Sequence, residues 1–210
     1  MQKIFLFSII GIIIISSILL ISNSTSNHPQ SKNIPTNTPT PSPSPPLQKK
    51  ETQTYPTLEF NQRITKKPFG MYITPQNSPV KPERFSGYHT GVDVEFENTE
   101  EDVPVFSVCD GELVLSKWVN GYGGTAVIKC QNNYYLYGHL KLNSITNETQ
   151  IPKDKQIAIL GQGNTQETDF ERKHLHFGVH KNSLNLKGYV STQSELQSWI
   201  DPLLVLNIEK

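Results

Sequence analysis

Residues 174–180 read HLHFGVH. In an extended strand, residues two apart share a face. His174 and His176 therefore project side by side, while Leu175 and Phe177 project to the other side. One face carries imidazoles and the other carries apolar groups. His180 continues the histidine face toward the strand's end. Comparable short runs precede this one: VPVFSV (103–108), ELVLSKWV (112–119), TAVIK (125–129), NYYLYGHL (133–140) and QIAIL (156–160). They are rich in β-branched and aromatic residues, with Gly, Asn and Asp between them. Only STQSELQSWI (191–200) has helical character, over as little as one or two turns, with Ser191 or Thr192 as its cap. The expectation is an all-β domain, an antiparallel sandwich or open barrel, with one short C-terminal helix.

Two unlike segments precede that domain. Residues 1–23 hold a single cation, Lys3, followed by an apolar run from Ile4 to about Ser22. The run is close to the ~20 residues that cross a bilayer and longer than the usual ~7–15 of a signal core. Lys3 before the run and no Lys or Arg until Lys32 favour an N-in orientation. The segment reads as a retained membrane anchor or a cleaved signal peptide, and either sends the rest of the chain out of the cytoplasm. No Cys follows it, which excludes a lipoprotein anchor. Residues 24–50 are Pro, Ser, Thr and Asn with few apolar groups, and PTPSPSPP favours extended polyproline geometry. They read as a linker, leaving 51–210 as the working domain. The formal net charge is zero, so neither nucleic acid nor an acidic surface is expected as the main partner. The sequence sets no oligomeric state.

A second histidine motif, GYHTGVDVEF, places His89 four residues before Asp93 with Gly91 between them. In extended chain the two share a face, and Gly91 permits a close approach or bend. Two histidines and one carboxylate form a plausible zinc set that leaves a fourth position open for water, the catalytic kind of site. Taken singly, His-x-His in a strand is more often a surface pair. His139 in YLYGHL, taken alone, is more often a hydrogen-bonded core or edge residue. Their co-occurrence, in this order and in one β domain, points to a metal site.

The quoted motifs YHTGVD, VPVFSVCDGELVLSKWVNGYGGTAVIK, YLYGHL, ILGQGNT, HLHFGV and WIDPL, from about Lys67 to Leu204, resemble the lysostaphin-type zinc metallopeptidases, which cut peptides in bacterial peptidoglycan. The resemblance implies the lysostaphin-like (duplicated hybrid motif) fold, an antiparallel sheet forming a sandwich-like groove. It implies one Zn²⁺ per domain on His89, Asp93 and His176, with His139 and His174 as catalytic histidines. It also implies a peptidoglycan peptide as substrate. Three positions depart from the family pattern. Gly87 stands where Arg is common, Arg172 and Lys173 stand where small residues are common, and Gly178 stands where an acid is common. Arg172 or Lys173 could meet a carboxylate of the substrate or form a solvated basic pair. Non-catalytic relatives that bind wall or regulate a hydrolase typically lose ligands, whereas all five positions are kept here. A phosphocarrier of related β fold is disfavoured by the export segment.

Cys109 and Cys130 fall in neighbouring expected strands turning near NGYGG, where they form either a disulfide or two small buried residues. Tyr72, Phe85 and Tyr88 precede or overlap the first motif and are candidates for substrate contact or packing.

Overall fold

The structure is a computed structural model that describes residues 55–208. The expected apolar segment (1–23) and linker (24–50) lie outside the described residues. Among the described residues no helix is long and apolar enough to cross a membrane. The strands are β1 (Tyr72–Ile73), β2 (Gly87–His89), β3 (Gly91–Glu95), β4 (Pro104–Phe106), β5 (Gly111–Val119), β6 (Gly123–Cys130), β7 (Asn133–Leu140), β8 (Gln150–Ile151), β9 (Gln156–Ile159), β10 (His174–Lys181), β11 (Tyr189–Val190) and β12 (Trp199–Ile200). They form a seven-stranded sheet in the order β12-β10-β7-β6-β5-β8 with β3 also on β10, a three-stranded sheet β1-β2-β11, and the pair β4-β9. Every described pairing is antiparallel, in agreement with the all-β expectation.

The helical expectation for 191–200 is met by one turn, and a second single turn follows it. In α1 (Gln193–Leu196), Thr192 and Glu195 form a reciprocal capping box. In α2 (Pro202–Val205), Asp201 caps Leu203 N and Pro202 sits at the first helical position. WIDPL therefore carries a second helix start that the reading above took only as a family motif.

β10 is the central element, buried along His174–His180. Its first half pairs with β3, the second half pairs with β12, and β7 runs along the other edge. Leu175, Phe177 and Val179 enter the main core with Tyr135 and Tyr137 of β7, Ala126 and Ile128 of β6, and Val92 and Val94 of β3. Each fully buried side chain of this size contributes about 1.5–3 kcal/mol. On the other face Tyr122, Val127 and Leu136 form a smaller apolar layer beside the histidines. The two-residue period thus separates a packed side from a polar side along one strand.

At the end of β7 that period breaks. Gly124 of β6 pairs with Leu140, but Ala126 pairs with Tyr137, so the register shifts between them. Gly138 opposes His176 on β10, so plain alternation would send His139 to the core side. Instead His139 adopts φ +64°. Its N–H donates to Tyr122 O at 2.7 Å and its carbonyl accepts from Gly161 N at 2.7 Å. This β-bulge turns the imidazole to the site face, a common use of bulges.

Candidate active site

Three elements from two sheets bring the first motif and the His-x-His strand together. β2 and β3 belong to different sheets, and the chain turns between them at Thr90, whose N–H donates to Gly188 O at 3.0 Å and whose hydroxyl donates to Lys187 O at 2.6 Å. β3 then pairs with β10 so that Asp93 lies opposite His176 and Gly91 opposite Gly178. Gly91 is required by the close approach. A Cβ there would lie 2.5 Å from Phe177 O and 2.9 Å from His176 Nε2.

His89, Asp93 and His176 are buried. His89 Nε2 lies 3.2 Å from Asp93 Oδ1 and 3.1 Å from His176 Nδ1, and His176 Nδ1 lies 3.1 Å from Asp93 Oδ1. These three atoms form a near-equilateral triangle and a possible metal-binding group. Tetrahedral zinc bound at ~2.0–2.1 Å spaces its ligand atoms about 3.3 Å apart, so the triangle fits one face of such a site. The lone pairs are arranged for it. His89 Nδ1 faces Pro68 O at 3.2 Å and donates there, leaving Nε2 unprotonated. His176 Nε2 faces the Tyr122 hydroxyl at 3.3 Å, leaving Nδ1 for a metal. Backbone or side-chain partners of this kind orient metal-ligating histidines.

His174 and His139 flank the triangle with ring centroids 4.2 Å apart. His174 Nδ1 donates to Arg172 O at 2.8 Å, and its Nε2 lies 3.6 Å from Asp93 Oδ2. His139 Nδ1 is buried with no hydrogen-bond partner. Such an atom is costly unless something enters to meet it. Burial pushes His139 down to about 3. Burial, then the neighbouring His139 and Arg172, hold His174 well below the ordinary imidazole range. Burial also lowers His176. Burial alone would raise Asp93, but the surrounding imidazoles of His89, His174 and His176 hold it well below the usual carboxylate range. Asp93 is therefore favoured as a carboxylate, and His139, His174 and His176 are favoured in their neutral forms.

These five residues line a cavity of ≈ 330 Å³ together with Lys67, Phe85, Tyr122, Glu171, Arg172 and Tyr189, among others. Phe85 stacks on Tyr189 at 5.6 Å. Lys67 Nζ donates to Glu83 Oε2 at 2.6 Å and to the Tyr189 hydroxyl at 3.1 Å. At the rim, Arg84 Nη2 bridges Asp169 Oδ2 at 2.7 Å and Glu171 Oε1 at 3.3 Å, tying the loop before β2 to the loop before β10. Tyr72 and Tyr88 pack edge-to-face on each other at 4.8 Å and do not line the cavity.

Arg172 and Lys173 are both buried, and neither forms a solvated pair. Arg172 lines the cavity, but its Nε and Nη2 are bonded to Glu95 and Asp93. Lys173 Nζ donates to Thr99 O at 3.2 Å and Glu101 O at 2.6 Å, away from the cavity lining. Gly87 has φ +133°, and a Cβ there would lie 2.6 Å from Val190 O, so no side chain fits where relatives commonly carry Arg. Cys109 and Cys130 are joined as a disulfide. Tyr122, Lys67 and Tyr189 reach the site without any signal taken from the sequence. The GYGG turn after β5 was the one cue available for Tyr122.

Residues 87–187 match the model of peptidase family M23, in agreement with the resemblance carried by the motifs. The catalytic domain of the antimicrobial peptidase lysostaphin from Staphylococcus simulans is 20% identical, with 67% of this chain and 89% of that chain covered and a TM-score of 0.47. LytU is likewise 20% identical, with 69% and 84% covered and a TM-score of 0.48. Helicobacter pylori Csd3 is 26% identical, with 66% of this chain but 34% of that chain covered and a TM-score of 0.44. No curated protein sequence matches significantly.

Proposed function

We propose that this chain is an exported zinc endopeptidase that hydrolyses peptide bonds in bacterial peptidoglycan, held outside the cell membrane by its N-terminal segment or released after that segment is cleaved. The observation that carries the reading is the His89–Asp93–His176 triangle, with edges of 3.1–3.2 Å, set beside two neutral imidazoles in an open cavity. A catalytic zinc supplies polarisation of the scissile carbonyl and a water acidified toward neutral pH. The chain's own residues divide the remaining work. His174 is locked with its proton on Nδ1, so Nε2 is the basic nitrogen. Once Nε2 takes the attacking water's proton, the imidazolium lies near Asp93 Oδ2, and that proton can be handed to the leaving amine as the peptide C–N bond breaks. His139 stays neutral and lines the cavity, where its imidazole is suited to hydrogen-bond the carbonyl oxygen as negative charge develops there. The aromatic wall of Phe85 and Tyr189 offers an apolar surface for an extended peptide.

The test incubates the full chain with purified peptidoglycan, with added zinc or a chelator, beside His174→Ala. Released fragments are read by mass spectrometry. New amine termini should appear with zinc and vanish with chelator, and His174→Ala should lower the rate by roughly 10²–10⁴-fold while zinc remains bound. Bound zinc without cleavage of several wall types would replace this reading with a non-catalytic wall-binding role.

A further inference from the structure

Asp93 offers two carboxylate oxygens, and the structure gives them different neighbours. Oδ1 belongs to the triangle with His89 and His176. Oδ2 accepts from Arg172 Nη2 at 2.8 Å. Arg172 is in turn clamped side-on by Glu95, with Nε to Oε2 at 2.7 Å and Nη2 to Oε1 at 2.7 Å. The two protons of Nη2 therefore bridge two carboxylates two residues apart on β3, which share one face of that strand. All three side chains are buried. The bidentate fork on Glu95 fixes the guanidinium plane, and that plane fixes Asp93.

We propose that Arg172 is a positioning residue that presents Asp93 to the metal through a single oxygen, with Glu95 holding Arg172 in place. This rests on the zinc-peptidase reading and adds a device that the family pattern, with small residues before the His-x-His pair, does not contain. Two physical effects oppose each other here. A cation beside a metal site weakens binding of another cation. A fixed ligand strengthens it, and loss of such an outer partner typically costs ~10–100-fold in metal affinity. Orientation dominates because without Arg172 two buried carboxylates, Asp93 and Glu95, would face each other on β3. Asp93 could then hold neither its rotamer nor its single-oxygen presentation. Lysine cannot substitute, because its ammonium lacks the planar fork that meets both carboxylates at once.

The experiment measures zinc affinity by competition with a chromophoric chelator, together with the visible spectrum of the cobalt(II) form, on the full chain in mild detergent. It compares wild type, Arg172→Met and Arg172→Lys, with folding checked by circular dichroism. Arg172→Met should bind zinc ~10–100-fold more weakly, and Arg172→Lys about 10-fold more weakly with an altered cobalt spectrum. Arg172→Met binding zinc as tightly as wild type or more tightly overturns the proposal, because charge alone then decides. If Arg172→Met does not fold, Arg172→Lys decides, and an affinity within about twofold of wild type with an unchanged cobalt spectrum is the overturning result. Failure of the wild type itself to bind zinc would count against the zinc-peptidase reading instead.

Discussion

The Cys109–Cys130 bond allows stability and site chemistry to be separated. It closes a loop with a sequence separation of 21, joining the approach to β5 to the last residue of β6. The far end of the same hairpin carries Asn120, Gly121 and Tyr122, which line the cavity. In the chain-entropy account, a cross-link over about 21 residues removes roughly 11 cal/mol/K from the unfolded ensemble, or about 3 kcal/mol at room temperature. For about 150 ordered residues the unfolding entropy near Tm is about 0.3 kcal/mol/K, so Tm should fall by about 10 °C. Two arms test this. The Cys109→Ala/Cys130→Ala double variant removes the sulfurs, and dithiothreitol on the wild type leaves them in place. Both should lower Tm by a similar amount in a thermal scan, with zinc affinity unchanged at room temperature. A shift below about 2 °C in both arms would refute the loop-closure reasoning. A large loss of zinc affinity well below Tm would show that the bond shapes the site as well as the stability.

Other perturbations act closer to the metal triangle. Gly91→Ala should force β3 away from β10, costing about 1–3 kcal/mol and abolishing tight zinc binding. Gly178→Ala directly opposite, where the nearest contact is 3.3 Å to Trp199, is the milder control in the same denaturation and zinc-competition assays. Tyr122→Phe keeps the ring that packs over Gly138 but removes the hydroxyl 3.3 Å from His176 Nε2. Zinc affinity should drop ~10-fold with Tm nearly unchanged, and equal affinity would show that the hydroxyl does not set the His176 tautomer. The buried Lys67–Glu83 pair gives a pH prediction. Burial raises Glu83, but hydrogen bonds from Lys67 and Phe85 N and the Lys67 charge hold it below its ordinary 4.5. A depressed carboxyl pKa contributes stability above the unfolded value and loses it as pH falls through the folded value. Glu83→Gln should therefore cost about 3–5 kcal/mol near pH 7, since it strands Lys67, and the gap to wild type should close below pH 4.5 in denaturant titrations.

The parts of this site that were legible in the sequence are those that follow a local period. On β10 the alternation separates His174 and His176 from Leu175 and Phe177, and burial of both faces agrees with it. The spacing of His89, Gly91 and Asp93 shows where a strand must approach another closely, although it does not show that the two ends of the motif lie in different sheets. His139 is the opposite case. Strict alternation along β7 assigns it to the core, and only a positive φ held by Tyr122 O and Gly161 N reverses that. A non-glycine residue in the left-handed region carries no composition signal here, so the motif resemblance identified His139 where periodicity alone would have misplaced it.

Arg172 shows a further limit. Two adjacent basic residues before a strand read locally as solvent-facing charge or a substrate clamp. What decides the role of Arg172 is the pair of carboxylates on β3, 77 and 79 residues earlier in the chain, brought within hydrogen-bond reach by the β3–β10 register. Glu95 and Asp93 sit opposite His174 and His176, so the register that assembles the triangle also delivers the guanidinium's partners. A slip of one residue would turn Asp93 and Glu95 to the other face. It would then strand a buried arginine as well as dismantle the ligand set. The ion network and the candidate metal triangle thus select the same pairing, and a strand pair whose core side is built from interchangeable apolar residues gains a polar reason to hold one register.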